Sequence, residues 1–552
     1  MGENPSHRVD ECGADDHERP DGDDCIKEDE EAVGWDGAYG FFDSMNLEDC
    51  LRFLAITHQL PRSAVNMMLA ILRKKLDLDL PKDARTLMKT PSPGNSKIVA
   101  IQGGDFWYGG LKSVLTKCVT PVALSKALNP EATHFSLDVS SDGLPLHKAG
   151  PTQLWPILVK VVEFPKPPVM TVATFSGPSK PESIEEFLRP LVNELYEIHQ
   201  GGLVIGDRTL HFKILNFIAD SPARALIKEG NFERFPRWSP QVKEVVSKFL
   251  VQMQLPSEIH RTLRSVQYVA FWKASEFRTF LHYASVVDLK DCYDAPGYSH
   301  FLLYFCGVTI LSSSYHQYLW IRAKDFLFRF FKDFGTFYGR THMTSNVHNL
   351  QHVFGEVTMF GPLDDFSAYC FENHLQQIKQ WVRSGKKCAE QVAATSNEIA
   401  TILMAANIIV PNYPCLKRNG IGIHVTADFV LMPNFKDQWF LTKNYDIVKC
   451  LETRTSSLFP ISVVGIRFLS KAPLFVLSAE DNSFVITSSA DIHIYQIREN
   501  APTERVELSC NGILCKLVAV RLPAQPLTLP STPTLLTTGS CFFFAVLGNL
   551  RF

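Results

Sequence analysis

Short apolar runs of β-type composition alternate with one amphipathic helix between residues 98 and 220, and this order constrains the fold most. The segments HFSLDVSSDGLPLHKA, LWPILVKVVEF and PPVMTVATFSG are typical of strands, and so is the later segment RTLHFKILNFIAD. Before this last run stands SIEEFLRPLVNELYEIHQGG, where Ser183 and Glu186 fit a capping box and Gly201-Gly202 would end a helix. The pattern predicts an α/β sheet with a helix before its last strand.

Length and composition place these strands within a larger chain. A chain of 552 residues with 45% hydrophobic and 20% charged residues is expected to fold as two to four globular domains. Alternating runs such as SFVITSS, IHIYQI and GILCKLVAVRLP indicate a separate all-β domain. The predicted divisions are an acidic disordered tail (1–45), a helical module with its linker (46–97), an α/β core with a helical insertion (98–400), a small all-β domain (411–523) and an irregular tail (524–552).

The segment NLEDCLRFLAITHQLPRSAVNMMLAILRKKL repeats its apolar residues at helical spacing, which predicts two helices. Pro61 would divide them, and Ser63 is a nearby candidate cap for the second helix. Such a module can grip a partner or DNA, but a plain helical hairpin, which we favour, also explains the pattern.

The net charge of −3 conceals an asymmetry between the amino terminus and the rest of the chain. Residues 1–40 contain 14 acidic and 3 basic residues, so they carry −11 and the remainder carries +8. A mildly basic body permits nucleic-acid binding, and the acidic tail would compete for the same surface. A solvated, disordered tail is the simpler and favoured interpretation.

Cysteine usage and hydropathy indicate an intracellular protein without a membrane span. The thirteen cysteines include no Cys-x-x-Cys pair, which favours reduced thiols. The longest apolar stretch, Tyr298 to Trp320, is interrupted by Ser, His and Tyr, and the amino terminus lacks the pattern of a secretory signal. The start also fits the minimal myristoylation pattern, but the acidic run behind it argues against an anionic membrane.

Two carboxylates stand at the ends of predicted strands about eighty residues apart. Asp142 follows a strand in SSDGLPLHK, and Asp220 ends the run FIAD before a Ser-Pro turn. Carboxylates at strand ends can share a pair of Mg²⁺ ions, which prefer a few hard oxygen ligands and leave room for phosphate oxygens. Two such ions activate a water or a 3′-hydroxyl and stabilise the leaving oxygen. Taken singly, each of these residues also fits a turn.

A third acid would have to come from a later helix. Glu372 in FGPLDDFSAYCFENHLQQIK is the best candidate, and Asp364 and Asp365 are its rivals. Asp138 competes with Asp142 as the first acid, but it lies inside the predicted strand rather than after it.

Histidines and a basic aromatic stretch give weaker signals. His342, His348 and His352 stand close together, and the one-turn spacing of the last two suits a metal, although helix packing is the favoured explanation. The stretch FLFRFFKDFGTFYGR could stack on bases or hold phosphates, but a helix would place most of its phenylalanines in the core. We therefore expect structural roles for both.

Several segments in a fixed order resemble one known family. They are LPKDARTLMKTP, DGLPLHKAGPTQLWPILVKVV, SKPESIEEFLRPLVNEL, FIADSPARALIK, LPSEIHRTLRSVQYVAFWKASEFRTFLHY and SNVHNLQHVFGEVTMFGPLDDFSAYCFENHL. Together they resemble the transposase-like proteins of animal genomes that are related to CACTA-type (En/Spm) DDE transposases. The resemblance covers about residues 48–398, and the all-β part at 411–523 also resembles the carboxyl-terminal part of that family.

This resemblance implies a ribonuclease H-like core that cleaves and transfers DNA strands with two metal ions. Asp142 matches the family's Asp-Gly-Leu-Pro-Leu motif, and Asp220 matches its Asp-Ala-Pro-Ala-Arg motif, here Asp-Ser-Pro-Ala-Arg. Glu372 lies in the family's Phe-Glu-Asn segment and is carried over as the third acid. The implied cofactor is Mg²⁺ or Mn²⁺ held by these three acids. The implied partners are transposon-end DNA and further copies of the chain, in the nucleus and away from membranes.

The chain departs from the family directly after Asp220. Relatives continue with a glycine-rich stretch that contains a Cys-x-x-Cys pair, and then with a long insertion. Here no cysteine lies between Cys118 and Cys292, so no zinc knuckle is expected at this place. The loss is either a gene-model artefact or decay of a transposon copy. Because it borders the second acid, we expect strand transfer to be impaired, and the alternative function is an inactive DNA- or protein-binding factor.

Overall fold

The computed structural model describes most of the chain between residues 45 and 546. The described ranges are 45–58, 60–90, 98–125, 127–146, 150–164, 167–218, 240–290, 293–382, 385–405, 413–417, 421–426, 428–454, 461–476, 488–522 and 541–546. Asp220 and the segment that follows it lie outside these ranges.

Three helices form the amino-terminal module. They are α1 (Leu47–Thr57), α2 (Arg62–Leu76) and α3 (Ala84–Met88). Asn46 caps α1 by accepting a hydrogen bond from the backbone N–H of Asp49. The predicted break at Pro61 is confirmed, but Ser63 as the cap of α2 is wrong. Pro61 itself occupies the cap position with extended backbone and no side-chain cap, so Ser63 lies inside the first turn.

One large mixed sheet follows the module. Its strands are β1 (Ile98–Ile101), β2 (Gly104–Tyr108), β3 (His134–Ser141), β4 (Leu144–Pro145), β5 (Gln153–Val161), β6 (Met170–Gly177), β7 (Leu203–Ile205) and β8 (Arg208–Ile218). Two short helices, α4 (Leu111–Cys118) and α5 (Pro121–Ser125), connect β2 to β3. The strand order is β1-β2-β6-β5-β3-β8-β7, with β4 paired to β5. Strands β3 and β8 run parallel, and the other pairs are antiparallel.

Helix α6 (Ile184–Gly201) connects β6 to β7 and covers one face of the sheet. The side chains of Phe135, Leu137 and Val139 from β3 join its buried residues in one apolar cluster. Ser183 caps the helix as predicted, and Gly202 ends it with a φ of 71°. The capping box is not completed, because the Glu186 carboxylate accepts a hydrogen bond from the backbone N–H of Gln102 instead.

A mainly helical region follows β8, as the composition predicts. Its α-helices are α7 (Pro240–Gln252), α8 (Ala274–Thr279), α9 (Ser285–Asp288), α10 (Ala295–Leu311), α11 (Trp320–Tyr338), α12 (Ser345–Asn349), α13 (Val353–Phe360), α14 (Tyr369–Trp381) and α15 (Cys388–Ala405). The aromatic stretch lies mostly in α11, and Phe326, Phe330 and Phe334 are buried there, which confirms the expected core role. Among the described residues, no helix combines the length and apolar character needed to span a bilayer.

The opposite face of the sheet is covered by α14 and α15. Leu154 and Leu158 from β5 and Ile218 from β8 pack there against Phe371 and Leu375 of α14. Because side chains alternate along a strand, this is the face that receives the even-numbered residues at the end of β3. Those residues, Asp138 and Ser140, are polar, so we call this face of the sheet the polar face.

The carboxyl-terminal region is all-β, as predicted. Its strands are β9 (Cys415–Leu416), β10 (Ile423–Thr426), β11 (Phe429–Leu431), β12 (Trp439–Thr442), β13 (Ile447–Arg454), β14 (Ser462–Phe468), β15 (Ala472–Pro473), β16 (Tyr495–Arg498), β17 (Thr503–Ser509), β18 (Ile513–Arg521) and β19 (Cys541–Val546). Strand β19 comes from the tail that we expected to be irregular, and it pairs between β16 and β18. Pairing on both sides satisfies the backbone N–H and C=O groups of β19, and this does not depend on its local sequence.

This β region shares a core with the helical region. Phe475, Ile494 and Val518 pack in one apolar cluster with residues of α10, including Phe305 and Ile310. The two regions therefore bury part of each other's apolar surface, and the predicted domain boundaries stay a prediction.

Candidate functional site

Three polar side chains lie in one row across the polar face. Strand pairing places Asp138 of β3 opposite Lys160 of β5 on one side and opposite Asn216 of β8 on the other. The Lys160 Nζ lies 3.1 Å from Asp138 Oδ2, and Asn216 Nδ2 donates a hydrogen bond of 2.7 Å to Asp138 Oδ1. The Asp138 side chain is 1% exposed. The first-acid rival is therefore already paired with a cation and an amide.

Asp142 lies just past the end of β3 in the turn that leads to β4. Its side chain is half-buried, and its Oδ1 accepts a hydrogen bond of 2.7 Å from the backbone N–H of Gly143. The glycine is required here, because a Cβ at this position would lie 2.7 Å from the ring of Trp155. The described contacts of Asp142 thus use one carboxylate oxygen and point to a tightly packed turn.

Glu372 lies in the first turn of α14, and its side chain is half-buried. The neighbouring Phe371 is buried in the cluster that also contains Leu144, two residues after Asp142. The segments that carry the predicted first and third acids therefore pack together on the polar face. Asp220, the predicted second acid, lies outside the described residues, two positions after Ile218, where β8 ends.

The two rivals of Glu372 have other contacts. Asp364 is largely buried and forms an ion pair with Arg278, whose Nη2 lies 2.6 Å from Oδ2. Burial raises the pKa of the Asp364 carboxyl, and the Arg278 guanidinium opposes that rise. Asp365 contributes a backbone carbonyl oxygen that accepts a hydrogen bond of 3.3 Å from Lys160. The Asp364 side chain therefore pairs within the helical region, whereas the backbone oxygen of Asp365 contacts Lys160 on the polar face.

Our reading of the sequence missed Lys160, Asn216 and a histidine on α14. His374 shares a hydrogen bond of 2.8 Å with the hydroxyl of Thr171 in β6, and burial lowers the pKa of His374 to about 4. The available signal was a single polar residue within each apolar run, Lys160 in LWPILVKVV and Asn216 in ILNFI. A lone polar residue in a buried strand needs a partner, but the sequence does not name it.

Within the described ranges, no group of three or more His, Cys, Asp or Glu side chains is arranged to hold a metal ion. The rings of His348 and His352 lie 5.4 Å apart edge to face, and His348 also contacts the ring of Phe331. These contacts agree with the favoured packing role of the histidines.

Two comparisons by sequence give no match. No protein-family model matches the chain, and no curated protein is significantly similar to it in sequence. The resemblance to CACTA-type transposases therefore stays a prediction, and the function has to be argued from the polar face itself.

Proposed function

We propose that this chain is a transposase-derived protein whose ribonuclease H-like core presents Asp142, Asp220 and Glu372 to a DNA phosphodiester. The observation that carries the proposal is the strand order β6-β5-β3-β8, with β8 parallel to β3. An antiparallel meander followed by a helix and a strand parallel to the first is what we expect of such a core.

Equal offsets along paired strands support a common location for the first two acids. Ser140 pairs with Ile218, and Asp142 and Asp220 each stand two residues further along the chain. Parallel strands advance in the same direction with a similar rise per residue. Acids at equal offsets are therefore expected to come close together at the carboxyl edge of the sheet.

The packing of α14 supports the third acid. Phe371 and Leu375 pack α14 against the polar face, where Ile218 at the end of β8 belongs to the same apolar cluster. Glu372 is adjacent to the buried Phe371, so the backbone that carries its carboxylate is fixed by the packing of the helix. A rigid helix is a suitable support for an acid that must meet two others.

The chain's own residues would orient the acids and exclude water. The Gly143 N–H donates to one oxygen of Asp142, and Leu144 and Phe371, which lie close to Asp142 and Glu372 in sequence, pack in one apolar cluster. Carboxylate oxygens are the ligands that Mg²⁺ and Mn²⁺ prefer. When bound by Asp142, Asp220 and Glu372, such ions would supply activation of a water or 3′-hydroxyl and stabilisation of the leaving oxygen.

A second candidate function is a DNA- or protein-binding factor that has lost strand transfer. It is favoured by the short connection, residues 219–239, where the resembled family has a long insertion. The Lys160 ammonium beside Asp138 also reduces the negative charge available to cations on the polar face. Binding to DNA would survive the loss of these catalytic features, because phosphate contacts supply most of non-specific affinity.

The test is nicking of supercoiled plasmid DNA by the full chain with Mg²⁺ or Mn²⁺. We expect weak nicking that is lost in Asp142→Asn and in Asp220→Asn, because each change removes a charged metal ligand. Asp207→Asn is the matched control, since Asp207 is exposed in the turn between β7 and β8.

Each outcome decides between the two functions. Nicking that persists in both site variants would show that the acids are wrongly assigned. No nicking by the wild-type chain, together with a mobility shift on the same DNA, would favour the binding factor. Absence of both nicking and binding would reject the transposase-derived function.

A further inference from the structure

A buried ion pair in the middle of the polar face calls for an explanation beyond stability. Asp138 is 1% exposed and Lys160 11% exposed, and their neighbours on the same face are the small Ser136 and Ser140 of β3 and the apolar Leu158 and Ile218. Replacing a buried ion pair by apolar residues of similar size is often neutral or stabilising. A sheet that only needed a core would not require a carboxylate and an ammonium here.

The surroundings of the Lys160 ammonium are those of a small cation site. Its Nζ lies 3.1 Å from Asp138 Oδ2, 3.3 Å from the Asp365 backbone oxygen and 5.6 Å from the centre of the Phe371 ring. Carboxylate and backbone carbonyl oxygens are the hard ligands that divalent cations take from proteins. Asn216 donates a hydrogen bond from its amide to the other oxygen of Asp138.

We propose that the Lys160 ammonium stands in for one divalent cation, so that Asp138 is neutralised by the chain itself. The inference rests on the proposed function, because it assumes that Asp142 and Glu372 nearby take a cation. The chain would then bind one divalent ion where a two-metal site binds two. Lys160 acts here as a positioning residue that sets the number of cations without touching DNA.

Removal of the ammonium should create a cation site. In Lys160→Met the Asp138 carboxylate and the Asp365 carbonyl remain as oxygen ligands without a positive charge between them, and waters complete the coordination of a bound ion. An uncompensated buried carboxylate is costly, and a divalent ion would relieve that cost. The variant should therefore bind Mn²⁺ at this position, where the wild-type chain has the Lys160 ammonium instead.

The experiment counts Mn²⁺ ions per full chain by electron paramagnetic resonance. We expect one ion for the wild-type chain and one more for Lys160→Met. The double variant Lys160→Met/Asp138→Asn should return to the wild-type number, because Asp138 is then neutral. Lys213→Met is the matched control, since Lys213 is exposed on strand β8 of the same sheet.

The outcomes separate this inference from the proposed function. Equal numbers of Mn²⁺ ions for folded Lys160→Met and the wild-type chain would overturn the role of Lys160 and leave the acids untouched. No ion for the wild-type chain and one for Lys160→Met would support the role of Lys160 and reject the site at Asp142 and Glu372.

A second measurement covers a variant that folds poorly. If Lys160→Met is unfolded without metal, recovery of its circular dichroism on addition of Mn²⁺ supports the inference, and no recovery overturns it. In the wild-type background, Asp138→Asn should leave Mn²⁺ affinity within about twofold, because Asp138 is already occupied, and a loss of about tenfold would contradict this.

Discussion

Among the described residues, the half-buried Lys160 and the buried Lys516 both lie against buried carboxylates, and they differ in how completely oxygen atoms surround the ammonium. Lys516 in β18 is fully buried and contacts four oxygens at 2.5–2.8 Å, two from Glu258 and one each from Asp437 and Val430. Lys160 has two oxygen contacts, at 3.1 and 3.3 Å, and an aromatic ring. An ammonium has three N–H donors, so that of Lys516 is saturated and that of Lys160 is not. The difference agrees with a structural role for Lys516 and with the replacement of a cation by Lys160 that we propose.

The clamp at Lys516 connects the helical region to the β region. Glu258 comes from the loop after α7, and its carboxylate also accepts a hydrogen bond from the Val430 N–H. Asp437 accepts hydrogen bonds from the backbone and the hydroxyl of Ser257. Burial alone would raise the pKa of Asp437, but the Lys516 ammonium and these hydrogen bonds bring it below its usual value. Each carboxylate oxygen of Glu258 and Asp437 therefore accepts at least one hydrogen bond within the protein.

The largest effect is expected for Lys516→Met. The change leaves Glu258 and Asp437 close together with no cation between them, which should cost on the order of 3–5 kcal/mol of unfolding free energy. Urea denaturation of the full chain measures it. The triple variant with Glu258→Gln and Asp437→Asn should recover part of the loss. A loss below about 1 kcal/mol would contradict the clamp, because exposed ion pairs behave that way.

A smaller loss is expected for Lys160→Met without metal. Asp138 keeps the hydrogen bond from Asn216, so we expect a loss of about 2–3 kcal/mol in urea denaturation. Addition of Asp138→Asn should restore most of it. If Lys160→Met costs as much as Lys516→Met, the contrast between an unsaturated and a saturated ammonium fails.

The third prediction concerns the loss of stability at low pH. It compares one buried histidine beside the β region with one on the polar face. Burial lowers the pKa of His316, beside the β region, and of His374, on the polar face, to about 4. The unfolded chain then binds more protons than the native chain between about pH 6.5 and pH 4, so stability falls as the pH falls through this window. Between about pH 6.5 and pH 5, each histidine should contribute about 1.5 kcal/mol of this loss.

Single replacements assign that loss to a region. His316→Phe and His374→Phe should each flatten the dependence of urea midpoint on pH, and the double variant should flatten it twice as much. Among the described residues, neither ring nitrogen of His316 has a hydrogen-bond partner, whereas His374 contacts Thr171. If the free energy of unfolding depends on pH in His316→Phe as it does in the wild-type chain, the native fold does not lower the pKa of His316.

The smallest effect is expected for Ser183→Ala, on the apolar side of the sheet. The Ser183 hydroxyl accepts a hydrogen bond from the Glu186 N–H, so its loss should cost about 1 kcal/mol. The effect should not depend on salt or Mn²⁺, because the hydroxyl is neutral. Ser179→Ala is a suitable control, since Ser179 is exposed before the helix. A salt-dependent loss would show that the cap is coupled to the ionic clusters.

The sequence by itself determined the features whose signals are local. The helix from Ile184 to Gly201, with its Ser183 cap and Gly202 end, follows from apolar spacing and capping chemistry within a few residues. The break at Pro61 has the same origin, since proline restricts its own backbone and that of its neighbour. The placement of Asp142 past the end of β3 was also predicted from the Asp-Gly turn.

Only the tertiary structure decided which side chains share a site. Asp138 meets Asn216 across 78 residues, and Lys516 meets Glu258 across 258 residues, through pairing and packing that no local pattern encodes. A shift of one residue in strand register would send Lys160 to the apolar face, so its partner is set by the packing of the whole sheet. The sequence determined that polar residues interrupt buried strands, and the fold decided that they neutralise one another.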